Sequence, residues 1–275
     1  MSISTDTAGP LVESAPSPGR TWLKSLAGRR WFRRLVVWSF LAAVYQVVAY
    51  IVGPFYLPTL QAIIGGAIDL GRDGSLTTMA SALVQMVIGF ALSIVVGIPL
   101  GVAMGASRLV DYVLGFYVKG MFVTSLIAVL PLLIIVFGFG LAYRVSVVFL
   151  FAVFFIILNT AAGVRDVDPQ LVAMGRAFGA SRWRRAATIT LPSALPFAIA
   201  GIRIGLANAF GGMILAELWI ARDFGQIMLG LAYNRDLPKF LALLVIVTLL
   251  ASFSAAGLKA FEKWLTPWSR STRDR

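Results

Sequence analysis

The sequence predicts an all-α membrane protein with about six transmembrane helices. Three observations support this fold class. The 275 residues are 59% hydrophobic and only 13% charged, whereas a soluble domain is normally about a quarter charged. The apolar residues form runs that can cross the roughly 30 Å hydrocarbon layer, which takes about 20 helical residues. The runs do not alternate in polarity as the strands of a transmembrane barrel do.

Six apolar segments are predicted to span the membrane. They lie at about 35–53, within 79–106, within 120–140, at 145–164, at 192–215 and at 240–258. The first 20 residues, rich in Ser, Thr, Pro and Gly, are predicted to be disordered, and no signal-peptide cleavage site is evident. These features predict a cytoplasmic N-terminal segment (1–34), a transmembrane domain (35–260) and a cytoplasmic tail (261–275).

The distribution of positive charge predicts the orientation of the helices. With the N-terminus inside, the cytoplasmic segments hold 18 of the 24 Lys and Arg residues and the outer segments hold 5, while Arg203 lies within a span. Cytoplasmic loops of membrane proteins carry the excess of Lys and Arg. Both termini are therefore predicted to lie in the cytoplasm. Because the basic residues flank apolar runs and form no single stripe, they do not indicate binding to nucleic acid.

Two further segments have a helical pattern. Gly97, Gly101 and Gly105 are four residues apart, which predicts a close-packing face on the second span; the spacing leaves open whether the partner is in the same chain or a second copy. Pro99 is expected to bend that helix and free a carbonyl. The outer segment LPTLQAIIGGAIDLGRDG (57–74) predicts an amphipathic helix, either at the outer membrane surface or packed on the other spans.

The segment DPQLVAMGRAFGASRWRRAATITLP (168–192) interrupts the apolar pattern on the cytoplasmic side. Asp168 suits an N-cap and Pro169 the first helical position. Gly179 suits a left-handed helix end, and Ser181 can cap a second, basic helix. Pro192 is predicted to start the fifth span.

The first helix of this segment has a predicted apolar face. That face comprises Leu171, Met174, Gly175 and Phe178. One interpretation is a connector on the membrane surface, with arginines such as Arg182 against anionic lipid head groups. The other is a plug that fits a groove on a soluble partner.

This loop resembles that of inner-membrane permeases of binding-protein-dependent ABC importers. Their pattern is E-A-A, three residues, G, nine residues, I-x-L-P; Gly179 matches the glycine, and residues 189–192 match the end. The run GRAFGASRWRRAATITLPSALPFAIAGIRIGLANA is similar to the branch that imports nitrate, aliphatic sulfonates and taurine, as are GFALSIVVGIPLGVAMG, AVLPLLIIVFGFG and FFIILNTAAGVRDVDP. The resemblance covers about residues 55–260. It departs from the pattern at Ala173, where the family has an acidic residue, and at Met174 and Gly175, where it has alanines.

The resemblance implies a type I ABC importer-like (MetI-like) permease fold in the bacterial inner membrane. It also implies a second permease copy, two ATP-binding subunits docked on the coupling loop (165–190), and an extracytoplasmic solute-binding protein. ATP and Mg would be held by the partner ATPase, and this chain would hold no cofactor. Without an acid at Ala173, docking is expected to depend on Leu171, Met174 and Phe178, helped by arginines of the loop such as Arg182. Independently, no GK dipeptide occurs in the chain, so the P-loop pattern is absent.

Polar residues within the spans are candidates for the translocation path. Arg203 is either a structural residue bonded to carbonyls freed by Pro99 or a cation that attracts a small anionic substrate. Asn159 and Asn208 either line the path or bond between helices. Glu217, just past the fifth span, is expected to pair with Arg222 or to face the binding protein.

Two other classes of function agree less well with the sequence. An ion-coupled secondary transporter usually buries carboxylates or His within its spans, whereas the acids between residues 74 and 260 fall in predicted loops or at span ends. A membrane enzyme would need catalytic groups, but the chain has neither Cys nor His and no clustered carboxylates. We therefore predict no catalytic residue and no metal site. The sequence does not specify the substrate.

Overall fold

A computed structural model describes residues 30–265 of the chain. The predicted disordered lead and residues 266–275 of the predicted tail lie outside the described residues. Between residues 30 and 265 the secondary structure is helical, as predicted, and contains no strand. The α-helices are α1 (Arg30–Val52), α2 (Leu60–Arg72), α3 (Ser75–Ala106), α4 (Arg108–Val123), α5 (Leu126–Phe137), α6 (Leu141–Arg165), α7 (Pro169–Ala177), α8 (Arg182–Arg185), α9 (Leu191–Ile220), α10 (Asp223–Tyr233) and α11 (Leu237–Leu265).

Five helical segments are long and apolar enough to cross a membrane. They are Leu35–Val52, Ser75–Ala106, Leu141–Arg165, Arg182–Ile220 and Leu237–Ala260. They correspond to five of the six predicted spans. The third predicted span is wrong as a single helix, because α4 and α5 meet at an angle of 104°.

The bend between α4 and α5 lies at Thr124 and Ser125. Both residues have extended backbone angles, with ψ of 139° and 107°. The Thr124 hydroxyl donates to the Gly120 carbonyl at 2.9 Å, a local bond that competes with helix continuation. The predicted span at 120–140 is thus replaced by two shorter helices.

The chain divides into two compact units at residue 60. In the first unit, the Tyr45 hydroxyl of α1 donates to the Pro58 carbonyl at 2.9 Å, and the Gln46 side-chain carbonyl accepts from the Leu60 N–H at 3.0 Å. The second unit (61–275) contains the helices of the candidate sites.

In the second unit, α6 packs along the predicted glycine face of α3. A Cβ atom added at Gly101 would lie 2.6 Å from the Thr160 Cβ, and one at Gly105 would lie 2.5 Å from the Val164 Cβ. Only glycine lets the two backbones approach this closely. The glycine spacing alone did not decide whether the packing partner lies in the same chain or in a second copy. In the structure the partner of Gly101 and Gly105 is α6 of the same chain.

A second glycine contact joins α6 to α9. A Cβ at Gly201 would lie 2.8 Å from the Asn159 Cβ, and one at Gly212 would lie 2.9 Å from the Phe151 Cβ. This face was not predicted from the sequence, although Gly201 and Gly205 have the same four-residue spacing as the glycines of α3. The central helix α6 is thus held closely on two sides.

The predicted amphipathic helix α2 packs on another span along one face, which is the second of the two proposed alternatives. Leu70 is only 1% exposed, and a Cβ at Gly66 would lie 2.8 Å from the backbone of Pro238, so this face packs on the start of α11. The apolar residues Ile64 and Ile68 stay exposed. One face is therefore packed on a span, and the other carries exposed apolar side chains.

Pro99 does not interrupt its helix. The α3 helix is continuous from Ser75 to Ala106 with Pro99 inside it.

Candidate docking loop and membrane cavity

The loop between α6 and α9 has the predicted local structure. Asp168 caps α7 by accepting from the Gln170 N–H at 2.8 Å, and Pro169 is the first residue of the helix. Gly179 has a φ of 71°, in the left-handed region. The Ser181 hydroxyl caps α8 by accepting from the Arg184 N–H at 3.3 Å. Each of these features follows from a local residue preference, which is why the sequence predicts them.

The helical segment that contains the fifth span begins earlier than Pro192. Helical backbone runs from Arg182 through a π-helical turn (Ala186–Thr190) into α9. In that turn the Leu191 N–H bonds to the Ala186 carbonyl, and Pro192, which has no N–H to donate, follows the turn as the second residue of α9. The helix α9 itself begins one residue before Pro192, close to the predicted start of the span, and the π-helical turn joins it to α8.

Three apolar side chains of α7 project from the loop. Leu171, Met174 and Phe178 are 45%, 55% and 85% exposed, and no residue of α7 is buried. Gly175, which was predicted to belong to this face, packs against the returning segment, since a Cβ there would lie 2.8 Å from the Ile189 Cδ1. The structure thus separates Gly175 from the exposed apolar face.

The other side of α7 borders a groove of about 850 Å³. Ala173 lines this groove, together with Arg108 and Arg176. Position 173, which is acidic in the family pattern, therefore lies on the wall of a groove that also carries two guanidinium groups. Arg182, at the start of α8, is exposed.

A cluster of charged groups joins α6, α9 and α10 at the opposite end of the spans. The Arg144 Nε lies 2.9 Å from Glu217 Oε1, and its Nη2 lies 2.6 Å from Asp223 Oδ2. The Gly225 N–H donates to Glu217 Oε2 at 3.3 Å. Glu217 is only 2% exposed and lies within α9, so it is a buried acid inside the helix and not a residue just past the span, as was predicted.

The predicted partner of Glu217 was wrong. Arg222 instead lies over the Phe139 ring, with its guanidinium carbon 5.2 Å from the ring centroid. Arg144 could not be identified as the partner from sequence, because it lies on a different helix far along the chain.

The three path candidates lie in different surroundings. Arg203 forms an ion pair with Glu262 of α11, a partner other than the freed carbonyls that one of its two alternatives proposed. The side-chain amides of Asn159 and Asn208 donate to carbonyls of their own helices, at 2.8 and 2.9 Å. Asn208 also lines a cavity of about 270 Å³ beside the α4–α5 bend. The structure does not bring the three side chains together in one site.

The apolar helices of spanning length define this chain as a polytopic helical membrane protein. Residues 93–267 match the family described as the binding-protein-dependent transport system inner membrane component, and the chain belongs to that family. It is an inner-membrane permease subunit of an ABC importer, which confirms the resemblance drawn from the loop and its flanking spans. Transport systems of this class also contain an ATPase and a solute-binding protein.

Three relatives cover most of the chain. The taurine transport system permease protein TauC of Escherichia coli (strain K12) is 27% identical over 241 residues, which are 85% of this chain and 86% of that protein. The formylaminopyrimidine transport permease protein ThiX of Halalkalibacterium halodurans is 28% identical over 84% of this chain and 93% of its own length. The putative aliphatic sulfonates transport permease protein SsuC of Bacillus subtilis (strain 168) is 25% identical over 94% of this chain and 96% of its own length.

Proposed function

We propose that this permease forms the translocation path for a small anionic solute and docks its ATPase through α7. The observation that carries the docking proposal is the exposed apolar face of Leu171, Met174 and Phe178 on a helix that is capped at both ends. The chain is a permease subunit, so the proposal concerns the partners, the docking surface and the solute.

The face of α7 has the properties of a helix that inserts into a groove. Apolar residues at i, i+3 and i+7 form one stripe, as in other helix-in-groove contacts. Burying a fully exposed side chain of this kind is worth roughly 1.5–3 kcal/mol, and Leu171 and Met174, which are only about half exposed, have about half of that left to gain. Phe178, the most exposed of them at 85%, has the most surface to bury and is the proposed anchor.

The loop also provides a mechanical connection from α7 to the spans. The Gly175–Ile189 contact joins α7 to the π-helical turn that precedes α9. The Arg185 guanidinium donates to the Ala180 carbonyl at 3.1 Å, which holds the turn between the two helices. In the proposed cycle, closure of the ATPase subunits moves α7, and these contacts transmit the movement to α9.

The proposed complex contains two permease copies, two ATPase subunits and an extracytoplasmic binding protein. ATP and Mg²⁺ are held by the ATPase subunits, because this chain lacks the G-x-x-x-x-G-K-[ST] pattern. Both termini and α7 lie in the cytoplasm. The names of the taurine and aliphatic sulfonate relatives support a small anionic solute.

Two substitutions that introduce the same charge test the docking face. Phe178→Asp places a carboxylate at the most exposed position of the apolar face and is expected to dissociate the ATPase or to uncouple ATP hydrolysis from transport. Ala173→Asp places the same carboxylate on the opposite side of α7, in the groove with Arg108 and Arg176, and is expected to retain the ATPase. The measurement is the ATPase retained when the tagged permease is purified from membranes, with ATP hydrolysis of the complex.

Two results would contradict the proposed function. If the Phe178→Asp permease retained the ATPase and full ATP-driven transport, α7 would not dock through this face. If solute uptake by the reconstituted permease ran on an ion gradient with no ATPase present, the proposal that a separate ATPase drives transport would be wrong.

A further inference from the structure

The groove beside α7 combines an apolar wall with two positive charges. Its volume is about 850 Å³. The α7 helix contributes Val172, Ala173 and Ala177 to the apolar wall, and the charges belong to Arg108 and Arg176. Of the described residues that line the groove, none is acidic. None of the three residues of the docking face lines it either, so the groove and the docking face are separate surfaces of one helix.

Both guanidinium groups of the groove are available to a ligand. Neither has an ion-pair partner among the side chains that the structure describes. The acid one turn after Arg108 is Asp111, which is bound by Arg165 with 2.6 Å between Nη2 and Oδ1. Arg165 also donates to the Met104 carbonyl at 3.4 Å, which holds the start of α4 against the ends of α3 and α6. Arg108 is therefore an exposed, unpaired cation on a well-supported corner.

The groove opens at the level of the lipid head groups. The α3 helix contains 32 residues and is about 48 Å long, close to the roughly 40–45 Å of a bilayer with its head-group regions. No charged residue occurs between Gly74 and Ser107, so the polar boundaries of the membrane fall near the two ends of this helix. Arg108 is the first charge after that run. The groove beside it is thus within reach of phospholipid head groups.

An anionic phospholipid matches both parts of the groove. A guanidinium can donate two parallel N–H bonds to phosphate oxygens, so two unpaired arginines can hold one lipid phosphate between them. The first carbons of the acyl chains would contact the apolar wall of α7. A free phosphate ion would leave that wall in contact with water. The volume of about 850 Å³ also lies in the upper part of the roughly 300–1,000 Å³ of ligand pockets, which favours the larger ligand.

We propose that this groove binds an anionic phospholipid of the cytoplasmic leaflet, with the lipid phosphate between Arg108 and Arg176. The inference rests on the proposed function, which places α7 in the cytoplasm. Because Arg108 belongs to the corner between α3 and α4 and Arg176 belongs to α7, the phosphate joins the docking helix to the spans. The family pattern has an acid at position 173, and in this chain the lipid phosphate supplies a negative charge on that wall instead.

Protection of a single cysteine from labelling tests the site. The chain contains no Cys, so Ala177→Cys places its one thiol in the groove. The control Gln170→Cys places the thiol on the same helix, exposed and outside the groove. Full-length permease is reconstituted in nanodiscs of phosphatidylcholine alone or with an equal amount of phosphatidylglycerol. The rate of reaction with a neutral maleimide is measured in both, without the ATPase.

Phosphatidylglycerol should slow the labelling of Ala177→Cys about threefold or more beyond any slowing of Gln170→Cys. A threefold effect corresponds to a groove that is occupied about two-thirds of the time. The control is needed because an anionic membrane surface lowers the thiolate fraction at both positions. Inorganic phosphate and glycerol 3-phosphate, added to phosphatidylcholine nanodiscs, should not slow the labelling of Ala177→Cys.

Two matched pairs of substitutions assign the effect to the arginines of the groove. Arg108→Gln with Arg176→Gln should abolish the additional slowing of Ala177→Cys, since each arginine near an anionic surface strengthens binding about fivefold. Arg182→Gln with Arg184→Gln removes the same charge from α8, outside the groove, and should leave the slowing intact.

The docking variants separate this inference from the proposed function. Ala173→Asp places a carboxylate beside the two guanidinium groups, in place of the lipid phosphate, and should abolish the slowing while the ATPase is retained. Phe178→Asp should lose the ATPase and keep the slowing. A failure of docking and a failure of lipid binding therefore appear in different measurements.

Four outcomes would overturn the proposal. The first is equal slowing of Ala177→Cys and Gln170→Cys by phosphatidylglycerol. The second is slowing that persists in both Arg108→Gln with Arg176→Gln and Ala173→Asp. Slowing by inorganic phosphate as strong as that by the lipid would make the groove a site for free anions. Protection of Ala177→Cys by the ATPase in phosphatidylcholine nanodiscs, with none by phosphatidylglycerol, would assign the groove to the partner protein.

Discussion

The glycine contact between α3 and α6 makes a quantitative prediction about stability. In Gly101→Ala the added methyl group would lie 2.6 Å from the Thr160 Cβ and 2.7 Å from the Ile157 carbonyl oxygen. Favourable carbon contacts lie near 3.5–4.0 Å, so the helices must separate by about 1 Å. Overpacking of this kind costs about 1–3 kcal/mol. Replacing glycine by alanine also stabilises a helix by about 1 kcal/mol, because alanine has the higher helix propensity.

A matched control removes the helix-propensity contribution. A Cβ at Gly211, within α9, would meet no atom within 4 Å, so Gly211→Ala gains the same propensity without the clash. The difference in unfolding free energy between the two variants is therefore the overpacking cost itself, about 1–3 kcal/mol. At about 2–4 °C per kcal/mol for a chain of this size, Gly101→Ala should melt several degrees below Gly211→Ala.

The assay is thermal unfolding of both purified variants in the same detergent, followed by circular dichroism. Equal melting temperatures for Gly101→Ala and Gly211→Ala would refute the close approach of α3 and α6 at this position. A lower value for Gly211→Ala would show that α9 has a tight neighbour that the structure does not contain.

Two further predictions concern the ion pairs. Arg144→Ala leaves the Glu217 carboxylate, which is 2% exposed, without its cation and should lower the unfolding free energy by about 3–5 kcal/mol. The double variant Arg144→Met with Glu217→Leu should lose less unfolding free energy than Arg144→Ala. A double variant that lost as much or more would argue against the ion pair. Arg203→Glu should lower the melting temperature by facing Glu262 with a like charge, and adding Glu262→Arg should restore it, while no rescue would contradict the pairing. Transport by Arg203→Ala at normal assembly levels would exclude an essential path charge at that position.

The loop shows how much can be predicted from sequence when the interactions are local. Asp168, Gly179 and Ser181 were assigned to a cap, a left-handed turn and a second cap, and the structure places them so. Each assignment depends on atoms within a few residues, so the residue type and its position suffice. Gly175 shows the limit, because its contact is with Ile189 in the segment that returns to the membrane.

The broken third span was not evident from hydropathy. Residues 120–140 are apolar enough to cross the membrane once. The residues at the bend are Thr124 and Ser125, so the bend has neither a charged residue nor a proline or glycine to indicate it. Hydropathy measures the cost of placing side chains in lipid, whereas the bend is a property of the backbone at two residues. The cavity that depends on the bend was therefore invisible in the sequence, although Asn208 on its wall was among the predicted path residues.

The sequence by itself determined the membrane class, five of the spans, the family and the capped loop with its apolar stripe. These follow from length, hydropathy and local residue preference, which depend on neighbours in the chain. Only the tertiary structure decided that the α3 glycines pack on α6, that Glu217 pairs with Arg144, and that Arg203 pairs with Glu262. Those outcomes depend on which helix faces lie together, and ion pairs and close contacts form between residues that the sequence separates widely.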